Sequence, residues 1–335
     1  MTSTRADELA LAVYAAGRDA HLVEQPRSRD YGRFARDFDA GLFRRRLAER
    51  GYGWVGRSDA SFPPLLAAIH DPPPGLFLRG AGGAELLGER SVALVGARSC
   101  SPYGTAVARA LGRELASAGL VVVSGLARGV DGEAHRGALE AGGRTVAVLG
   151  CGIDRDYPAA HRELAARIAA TGLVVSEYPP GVAPAPWRFP ARNRIVAGLC
   201  EATIVVEARE RSGALITADL ALAEGREVFA VPGEITSRLS DGSNALLKLG
   251  AIPLTRAADV LEHLGIEPPE PPRPELSAHA SAVLGALRDG AASADELVRG
   301  AALEPGDVAA ALVELELAGL VCEEAGAYRE VVRAG

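Results

Sequence analysis

The chain has 335 residues, of which 48% are hydrophobic, and a formal net charge of −7. This length predicts two or three domains, and no apolar run approaches the roughly 20 residues that a membrane span requires. The first seven residues lack the apolar core of a signal peptide. The four cysteines are scattered singly, which argues against a disulfide framework or a zinc site. We therefore expect a cytoplasmic protein without a membrane partner.

Charge is distributed unevenly along the chain. Residues 276–335 contain 10 acidic and 4 basic residues, a net charge of −6, which leaves −1 for residues 1–275. Lys248 is the only lysine, so nearly all positive charge is carried by arginine. A GC-rich coding bias explains this composition without invoking function. Its physical consequence is that the cations are guanidinium groups, which suit bidentate phosphate contacts and stacking on bases.

The N-terminal region is predicted to be helical and then irregular. Aromatic residues and leucines recur at helical spacing within residues 31–51. A proline-rich stretch follows at residues 61–75 and ends in an apolar run at 76–80. We expect this stretch to pack as a strap without regular secondary structure.

Six apolar runs alternate with helical stretches between residues 91 and 254. The runs lie at residues 91–95, 120–123, 145–149, 173–175, 203–206 and 227–231. Helices are predicted at residues 102–118, 131–142, 158–171, 189–200, 213–225 and 243–249. Alternation of this kind predicts an α/β fold with a doubly wound, mostly parallel, Rossmann-like sheet. Ser101 followed by Pro102, Asp131 and Ser212 are the predicted helix caps.

The C-terminal residues predict a small separate module. Residues 267–274 are rich in proline and predict an extended linker. Helices at 277–288, 293–300 and 305–318, followed by β segments at 320–323 and 327–331, predict a winged-helix-like domain. Its third helix contains Asp307, Glu314 and Glu316 and no basic residue, so it would repel DNA phosphates. We interpret this domain as a protein-interaction or packing module.

The predicted domain boundaries follow from these segments. We expect a helical N-terminal domain at 1–60, an extended Rossmann-like domain at 61–265, a proline-rich linker at 266–275 and the winged-helix-like domain at 276–335.

The turn after the first predicted strand of the Rossmann-like domain has the chemistry of a phosphate site. Gly96 allows close backbone approach, and Arg98 adds positive charge. Ser101 opens a helix whose N-terminus offers N–H groups and the positive end of the helix dipole. Tyr103 lies in the same motif and is a further candidate contact. The simpler alternative is a tight strand-to-helix turn with a surface arginine.

Two further turns repeat this pattern at adjoining strand ends. Their candidate phosphate-binding residues are Ser124, Gly125 and Arg128 after the second strand, and Gly150 and Gly152 after the third. Because parallel strands end at one edge of a sheet, the three turns predict a continuous groove lined with donors. Asp131 and His135 are interpreted as a helix cap and a packed histidine, and less readily as a ligand or acid–base pair.

Residues 187–195 concentrate three arginines, two aromatic residues and one asparagine. Arginine binds phosphate, and aromatic rings stack on unpaired bases. The candidate DNA contacts here are Arg188, Arg192, Asn193 and Arg194. An equally good alternative is a packed helix start in which Arg192 and Arg194 bond to backbone carbonyls. Ser212 and Gly213 begin a later helix on the same edge and complete the candidate set.

No catalytic set can be assembled from the sequence. The P-loop, Gly-x-Gly-x-x-Gly, Gly-x-Ser-x-Gly and His-Glu-x-x-His motifs are not found in a plausible context. Glu177 and Glu207, which follow strand ends, are the only carboxylates considered for acid–base chemistry. We therefore expect a binding protein that is not an enzyme and has neither a cofactor nor a metal.

The chain resembles the DNA-processing protein A family (DprA, also called Smf) over residues 62–254. The resemblance rests on ordered motifs at 96–104 (GARSCSPYG), 124–131 (SGLARGVD), 150–158 (GCGIDRDYP), 176–179 (SEYP), 189–199 (FPARNRIVAGL), 212–218 (SGALITA), 229–233 (FAVPG) and 242–251 (GSNALLKLGA). His161 and Cys200 stand where the family often has asparagine and serine. Arginines stand where the family's groove commonly has lysines.

This resemblance implies a protein that binds single-stranded DNA and protects it during natural transformation. It also implies a homodimer and the loading of the RecA recombinase on the strand. By motif, Arg98, Ser101, Ser124 and Gly125 would form the phosphate pocket. The enzymatic alternative is a phosphoribohydrolase of the lonely-guy type, which cleaves nucleoside monophosphates. Its Pro-Gly-Gly-x-Gly-Thr-x-x-Glu motif is not matched at residues 210–217.

Overall fold

The computed structural model describes residues 2–17, 29–267, 276–288, 290, 293–318, 320–324 and 326–330. The chain divides into two compact units, Met1–Pro269 and Glu270–Gly335. Most of the predicted linker, residues 268–275, lies outside the described residues. The finer domain boundaries given above stay predictions.

Nine strands form one sheet in the first unit. They are β1 (Gly53–Gly56), β2 (Gly75–Arg79), β3 (Ser91–Val95), β4 (Val121–Ser124), β5 (Thr145–Leu149), β6 (Leu173–Ser176), β7 (Ala202–Val205), β8 (Glu227–Ala230) and β9 (Ile252–Pro253). Their order across the sheet is β1-β2-β6-β5-β4-β3-β7-β8-β9. The seven strands from β3 to β9 pair in parallel. This confirms the predicted doubly wound, mostly parallel sheet.

Strands β1 and β2 extend the sheet beyond β6 in antiparallel pairing. Trp54 lies opposite Phe77, and Phe77 lies opposite Ser176 of β6. The expectation of an irregular segment is therefore wrong for residues 75–79, and also for residues 64–67, which form a short helix. The two strands are separated by prolines and a short helix, so no local turn signal marks them as a pair. Their pairing depends on contacts between residues far apart in the chain.

The first unit also contains helices before, between and after its strands. They are α1 (Thr2–Ala16), α2 (Arg29–Asp37), α3 (Ala40–Glu49), α4 (Pro64–Ala67), α5 (Pro102–Ser117), α6 (Val130–Glu140), α7 (Arg162–Thr171), α8 (Arg188–Leu199), α9 (Gly213–Ala223), α10 (Asp241–Lys248) and α11 (Ala257–His263). Short 3₁₀ segments lie at Ala84–Gly88 and Ala159–His161.

Two of the three predicted helix caps are confirmed. The Ser101 hydroxyl accepts the N–H of Gly104 at 3.0 Å, and Ser212 caps α9 in the same manner. The prediction for Asp131 is wrong, because Gly129, with φ 73°, occupies the N-cap of α6. Glycine is required there by the left-handed backbone.

The sheet is covered on both faces. Ala93 and Val95 of β3 belong to one buried cluster with α8, while Val92 and Leu94 belong to another with α5 and α6. Strands buried on both faces need apolar residues at every position rather than at alternate ones. This explains why the sequence shows continuous apolar runs. A third cluster joins α1 and α3 to β2 and β5.

Helices α5 and α6 pack without space for side chains at two glycines. A Cβ at Gly137 would overlap the carbonyl oxygen of Arg109, and one at Gly112 would overlap the carbonyl oxygen of Ala134. The close approach positions both helices against β3 and β4. The start of each helix therefore lies at the edge where these strands end.

His135 is packed inside α6, as the sequence suggested. It is fully buried, and its Nδ1 lies 2.7 Å from the hydroxyl of Thr145 in β5. Burial, reinforced by the nearby His161 and Arg136, lowers the pKa of His135 from 6.5 to about 3. The imidazole is therefore neutral in the folded protein at physiological pH.

The second unit has the predicted three helices and hairpin. Its elements are α12 (Ala278–Arg288), α13 (Ala294–Ala301), α14 (Pro305–Leu317), β10 (Val321–Glu324) and β11 (Ala327–Glu330). The hairpin is antiparallel, with Val321 opposite Glu330. The predicted position Val331 lies outside the described residues. Among the residues described, no helix has the length and apolarity to cross a membrane.

Gly137→Ala should destabilise the first unit by about 1–3 kcal/mol, because the added methyl group meets backbone rather than a flexible side chain. Urea unfolding followed by tryptophan fluorescence measures this, since Trp54 and Trp187 both lie in that unit. The matched control is Gly32→Ala in α2, where nothing lies within 4 Å of the new Cβ. It should stabilise by up to about 1 kcal/mol. Equal effects of the two variants would contradict the packing argument.

Acid should destabilise the first unit through His135. The unfolded histidine takes up a proton near pH 6.5, whereas the folded one stays neutral down to about pH 3. The stabilising effect is complete above pH 6.5 and is lost as the pH falls, at up to about 1.4 kcal/mol per pH unit. His135→Gln should remove this part of the slope in urea unfolding between pH 6 and pH 4. The exposed His70→Gln should leave the slope unchanged, and a similar slope in both variants would refute the assignment.

Candidate nucleic-acid interface

A cavity of about 430 Å³ opens at the carboxyl edge of the parallel strands. The chain order of the sheet reverses between β3 and β7, and ligands of doubly wound sheets bind at this reversal. The turns after β3, β4 and β7 and the first turns of α8 and α9 line the cavity. We term it the strand-end cavity. Its lining residues are Val95, Gly96, Ala97, Arg98, Ser99, Gly125, Ala127, Asp131, Phe189, Pro190, Arg192, Asn193, Val196, Arg209, Arg211, Ser212, Gly213, Ala214 and Thr217.

Arg192 forms the floor of the cavity and is only 4% exposed. Its Nη1 donates to the carbonyl oxygens of Gly125, at 2.7 Å, and Val148. Its Nε donates to the side chain of Asn193 at 3.2 Å. Burial lowers the pKa of Arg192, and the charge of Asp131 opposes this effect. The structural alternative stated for Arg192, bonding to backbone carbonyls, is therefore confirmed.

Asp131 is the carboxylate of the cavity lining. It accepts the N–H groups of Gly125 and Ala127, each at 3.2 Å. Burial raises the pKa of Asp131, while Arg192 and these N–H groups act in the opposite direction. The N–H group of Gly125, a candidate phosphate contact from the sequence, is thus bonded within the protein. Asp131 also offsets the charge of Arg192, so the floor adds little net charge.

Glycine is required at two lining positions by packing. A Cβ at Gly125 would overlap the guanidinium group of Arg192. A Cβ at Gly96 would lie 2.6 Å from Val130 and 2.9 Å from the carbonyl oxygen of Glu207. Both glycines permit the close fit of turn, helix and strand around the floor.

Three exposed arginines surround the opening. Arg98 follows β3, and Arg209 and Arg211 follow β7; all three are exposed and line the cavity. None of the three has an ion-pair partner within the part of the chain that the structure describes. Ser212 and Gly213 place the N-terminus of α9, with its positive dipole end, at the same opening. Positive charge is therefore concentrated at the rim, with the exposed Glu210 between Arg209 and Arg211 in the chain.

Aromatic rings adjoin the rim. The Arg98 guanidinium lies 5.5 Å from the centroid of the Phe189 ring, which stacks on Tyr157 at 5.2 Å. Tyr157 is 45% exposed. An arginine and two rings thus form a stacked row beside the opening of the cavity. The sequence reasoning did not select Tyr157 or Phe189 as site residues, although both lie in motifs that it quoted.

The structure brings seven of the fifteen candidate residues together in the cavity lining. They are Gly96, Arg98, Gly125, Arg192, Asn193, Ser212 and Gly213. The other eight lie outside that lining. They are Ser101, Tyr103, Ser124, Arg128, Gly150, Gly152, Arg188 and Arg194. Tyr103 and Arg128 are exposed, so they border the surface near the turns without entering the cavity.

Both candidate serines outside the cavity are bonded within the fold. The Ser124 hydroxyl is fully buried and donates to the carbonyl of Leu94 at 2.6 Å. Ser101 donates its N–H and its hydroxyl to the carboxylate of Glu207, at 2.9 and 2.5 Å. Glu207 therefore anchors the first turn of α5.

Two of the arginines in residues 187–195 also have structural partners. Arg194 is 13% exposed and pairs with Glu177 at 2.6 Å and with Asp71 at 2.9 Å. Burial opposes its charge, but the two carboxylates outweigh burial and raise the pKa of Arg194. Arg188 is buried, donates to the carbonyl of Ala183 and lies 5.1 Å from the Tyr178 ring. Both Glu177 and Glu207 are thus engaged in structural bonds.

The third predicted turn contributes no residue to the lining. A Cβ at Gly150 would meet the Phe189 ring at 2.9 Å, and one at Gly152 would meet the carbonyl oxygen of Pro179 at 2.7 Å. This turn therefore packs against the ring of Phe189. Across the described residues, no group of three or more His, Cys, Asp or Glu side chains is placed to hold a metal ion.

Comparison with known proteins identifies a family for this chain. Residues 54–265 match the family described as DNA recombination-mediator protein A, and residues 267–327 match the DprA winged helix domain. A DNA processing protein DprA of Mycobacterium tuberculosis, described as putative in its name, is 45% identical over 312 residues. That alignment covers 86% of this chain and 79% of the relative.

Two solved structures are similar over most of their length. DNA processing protein A from Streptococcus pneumoniae has a TM-score of 0.65 at 38% identity, covering 77% of this chain and 92% of that one. DNA processing protein A from Helicobacter pylori, in a structure concerned with its single-stranded DNA binding mode, has a TM-score of 0.58 at 32% identity. It covers 64% of this chain and 95% of that one. The chain described here therefore belongs to the DNA recombination-mediator protein A family.

Proposed function

We propose that the chain binds single-stranded DNA at the strand-end cavity with little sequence preference. The observation that supports this most directly is the rim: three exposed arginines without ion-pair partners among the described residues, one of them against a row of two aromatic rings. The similarity to the Helicobacter pylori protein supports the same ligand class.

The chemistry of the cavity suits one phosphate and its neighbouring base. Guanidinium groups and the N-terminus of α9 attract phosphate but carry no sequence information. Every base presents a flat face, so stacking beside Phe189 and Tyr157 tolerates any sequence. Stacking also requires an unpaired base, which favours a single strand over a duplex.

The wider role that we propose is protection of the strand and loading of RecA during natural transformation, by a homodimer. Membership of a recombination-mediator family supports this role. We also propose that the protein acts by binding and not by catalysis. The bonds of Glu177 to Arg194 and of Glu207 to Ser101 support this, because each carboxylate has a structural task.

Arg98→Ala should weaken binding of a labelled oligo-dT by roughly 1.5–3 kcal/mol, the worth of a charge-assisted hydrogen bond. The slope of log affinity against log salt should also decrease by about 0.7, because the variant neutralises one phosphate fewer. Fluorescence anisotropy measures both quantities, with a duplex of equal length as the comparison ligand. Arg113→Ala, an exposed arginine on α5 away from the cavity lining, is the matched control.

Equal reductions in affinity for the two variants, or salt-independent binding, would contradict a phosphate site at the cavity. If no oligonucleotide bound and the protein released adenine from AMP at enzymatic rates, a nucleotide-cleaving enzyme would be the better description.

A further inference from the structure

The N-terminal helices carry a concentration of positive charge that the sequence reasoning did not identify. Residues 29–50 contain seven arginines and four acidic residues, a net charge of +3 in a chain whose total is −7. Six of the arginines are exposed, and we term them the arginine face. They are Arg29, Arg33, Arg36, Arg45, Arg46 and Arg50.

Helix α2 separates charge from aromatic residues. Arg29, Arg33 and Arg36 recur at intervals of four and three residues and therefore lie on one side of the helix. Phe34 and Phe38 lie on the other side. The helix is amphipathic in the strict sense, with a cationic side and an aromatic side.

The aromatic side is packed inward. Tyr14 of α1 contacts the rings of Tyr31 and Phe34 of α2, each at 5.3 Å. Phe38, which follows α2, contacts Phe34 at 5.3 Å and Phe43 of α3 at 5.5 Å. These contacts hold the three helices together and turn the arginines toward solvent.

The same helices are anchored in the first unit. Leu9 of α1 and Leu47 of α3 are buried in one cluster with Phe77 of β2. The arginine face and the strand-end cavity are therefore parts of one compact body, and the distance between them is fixed by packing.

Some arginines of the first unit are neutralised by acidic side chains. Arg90, for example, pairs with Glu201, and Arg144 pairs with Glu89. The six arginines of the face have no ion-pair partner within the described residues. The carboxylate of Asp39 caps α3 by accepting the N–H of Leu42 at 2.8 Å.

We propose that the arginine face binds the phosphate backbone of the same DNA strand outside the strand-end cavity. This inference rests on the proposed function. The strand-end cavity has a volume of about 430 Å³, so a strand of many nucleotides must cross surfaces beyond it. A surface of net negative charge repels that strand except where cations are concentrated. The arginine face is such a concentration, and its guanidinium groups suit phosphate.

A basic amphipathic helix can also bind an anionic membrane, by inserting its apolar side. Here that side is occupied by Tyr14 and Phe43, so only the cationic side is available. DNA, which needs no insertion, is therefore the favoured partner.

Two oligonucleotide lengths test the inference in the full-length protein. An oligo-dT of about 6 nucleotides extends only a few nucleotides beyond the cavity, whereas one of about 40 crosses far more of the surface. The triple variant Arg33→Gln, Arg45→Gln, Arg46→Gln should bind the long strand roughly tenfold more weakly, and its salt slope should fall by about 2, which is 0.7 for each of three phosphates. Its affinity for the short strand should be unchanged.

The matched control removes three exposed arginines elsewhere, Arg113→Gln, Arg167→Gln and Arg299→Gln. It should affect neither length, which shows that position and not net charge matters. Equal reductions in affinity for both lengths, or a long-strand reduction no larger than in the control, would overturn the inference.

A failure of the arginine face is distinguishable from a failure of the proposed function. If wild type binds both lengths and the triple variant binds them equally well, the arginine face is excluded as a DNA contact and the proposed function stands. If wild type binds neither length, the proposed function fails first. Co-sedimentation with phosphatidylglycerol vesicles that the triple variant loses, with oligonucleotide binding intact, would assign the face to a membrane and overturn its assignment to DNA.

Discussion

The buried guanidinium group of Arg192 is the interaction on which the strand-end cavity depends. It joins α8 to the backbone at the ends of β4 and β5. A buried cation is costly unless carbonyl oxygens and a counter-charge compensate for the hydration that it gives up. Asp131 provides the counter-charge and also fixes the turn after β4. The charges of Arg192 and Asp131 thus offset each other at the floor of the cavity. The positive charge of the cavity therefore comes from the arginines at its rim.

This arrangement separates two uses of arginine. Arg192 and Arg194 stabilise the fold through internal partners, whereas Arg98, Arg209 and Arg211 face solvent at the opening. Because salt screens charges beyond about 10 Å, an acidic chain can still attract a polyanion wherever unpaired cations lie close together. The net charge of −7 therefore says little about nucleic-acid binding, and the local distribution says much more.

The parallel part of the fold could be predicted from the sequence, since buried strands and capped helices leave local signals. The runs at 91–95 and 145–149 coincide with β3 and β5. Strands β1 and β2 could not be predicted from the sequence, because their pairing is non-local and prolines separate them. For the site, the motifs located the correct edge of the sheet. They could not show that Ser124 and Arg194 face inward, since the same donor serves a carbonyl or a phosphate equally well.

The ends of the nine-stranded sheet have a consequence for solubility at high local concentration. An unpaired strand edge invites addition of a neighbour's strand and aggregation. Here the outermost strands are short: β1 has four residues and glycine at both ends, and β9 has two, one of them Pro253, which has no N–H to donate. Copies of the protein bound side by side on one polymer would therefore have few unpaired backbone groups in β1 and β9 through which their sheets could join.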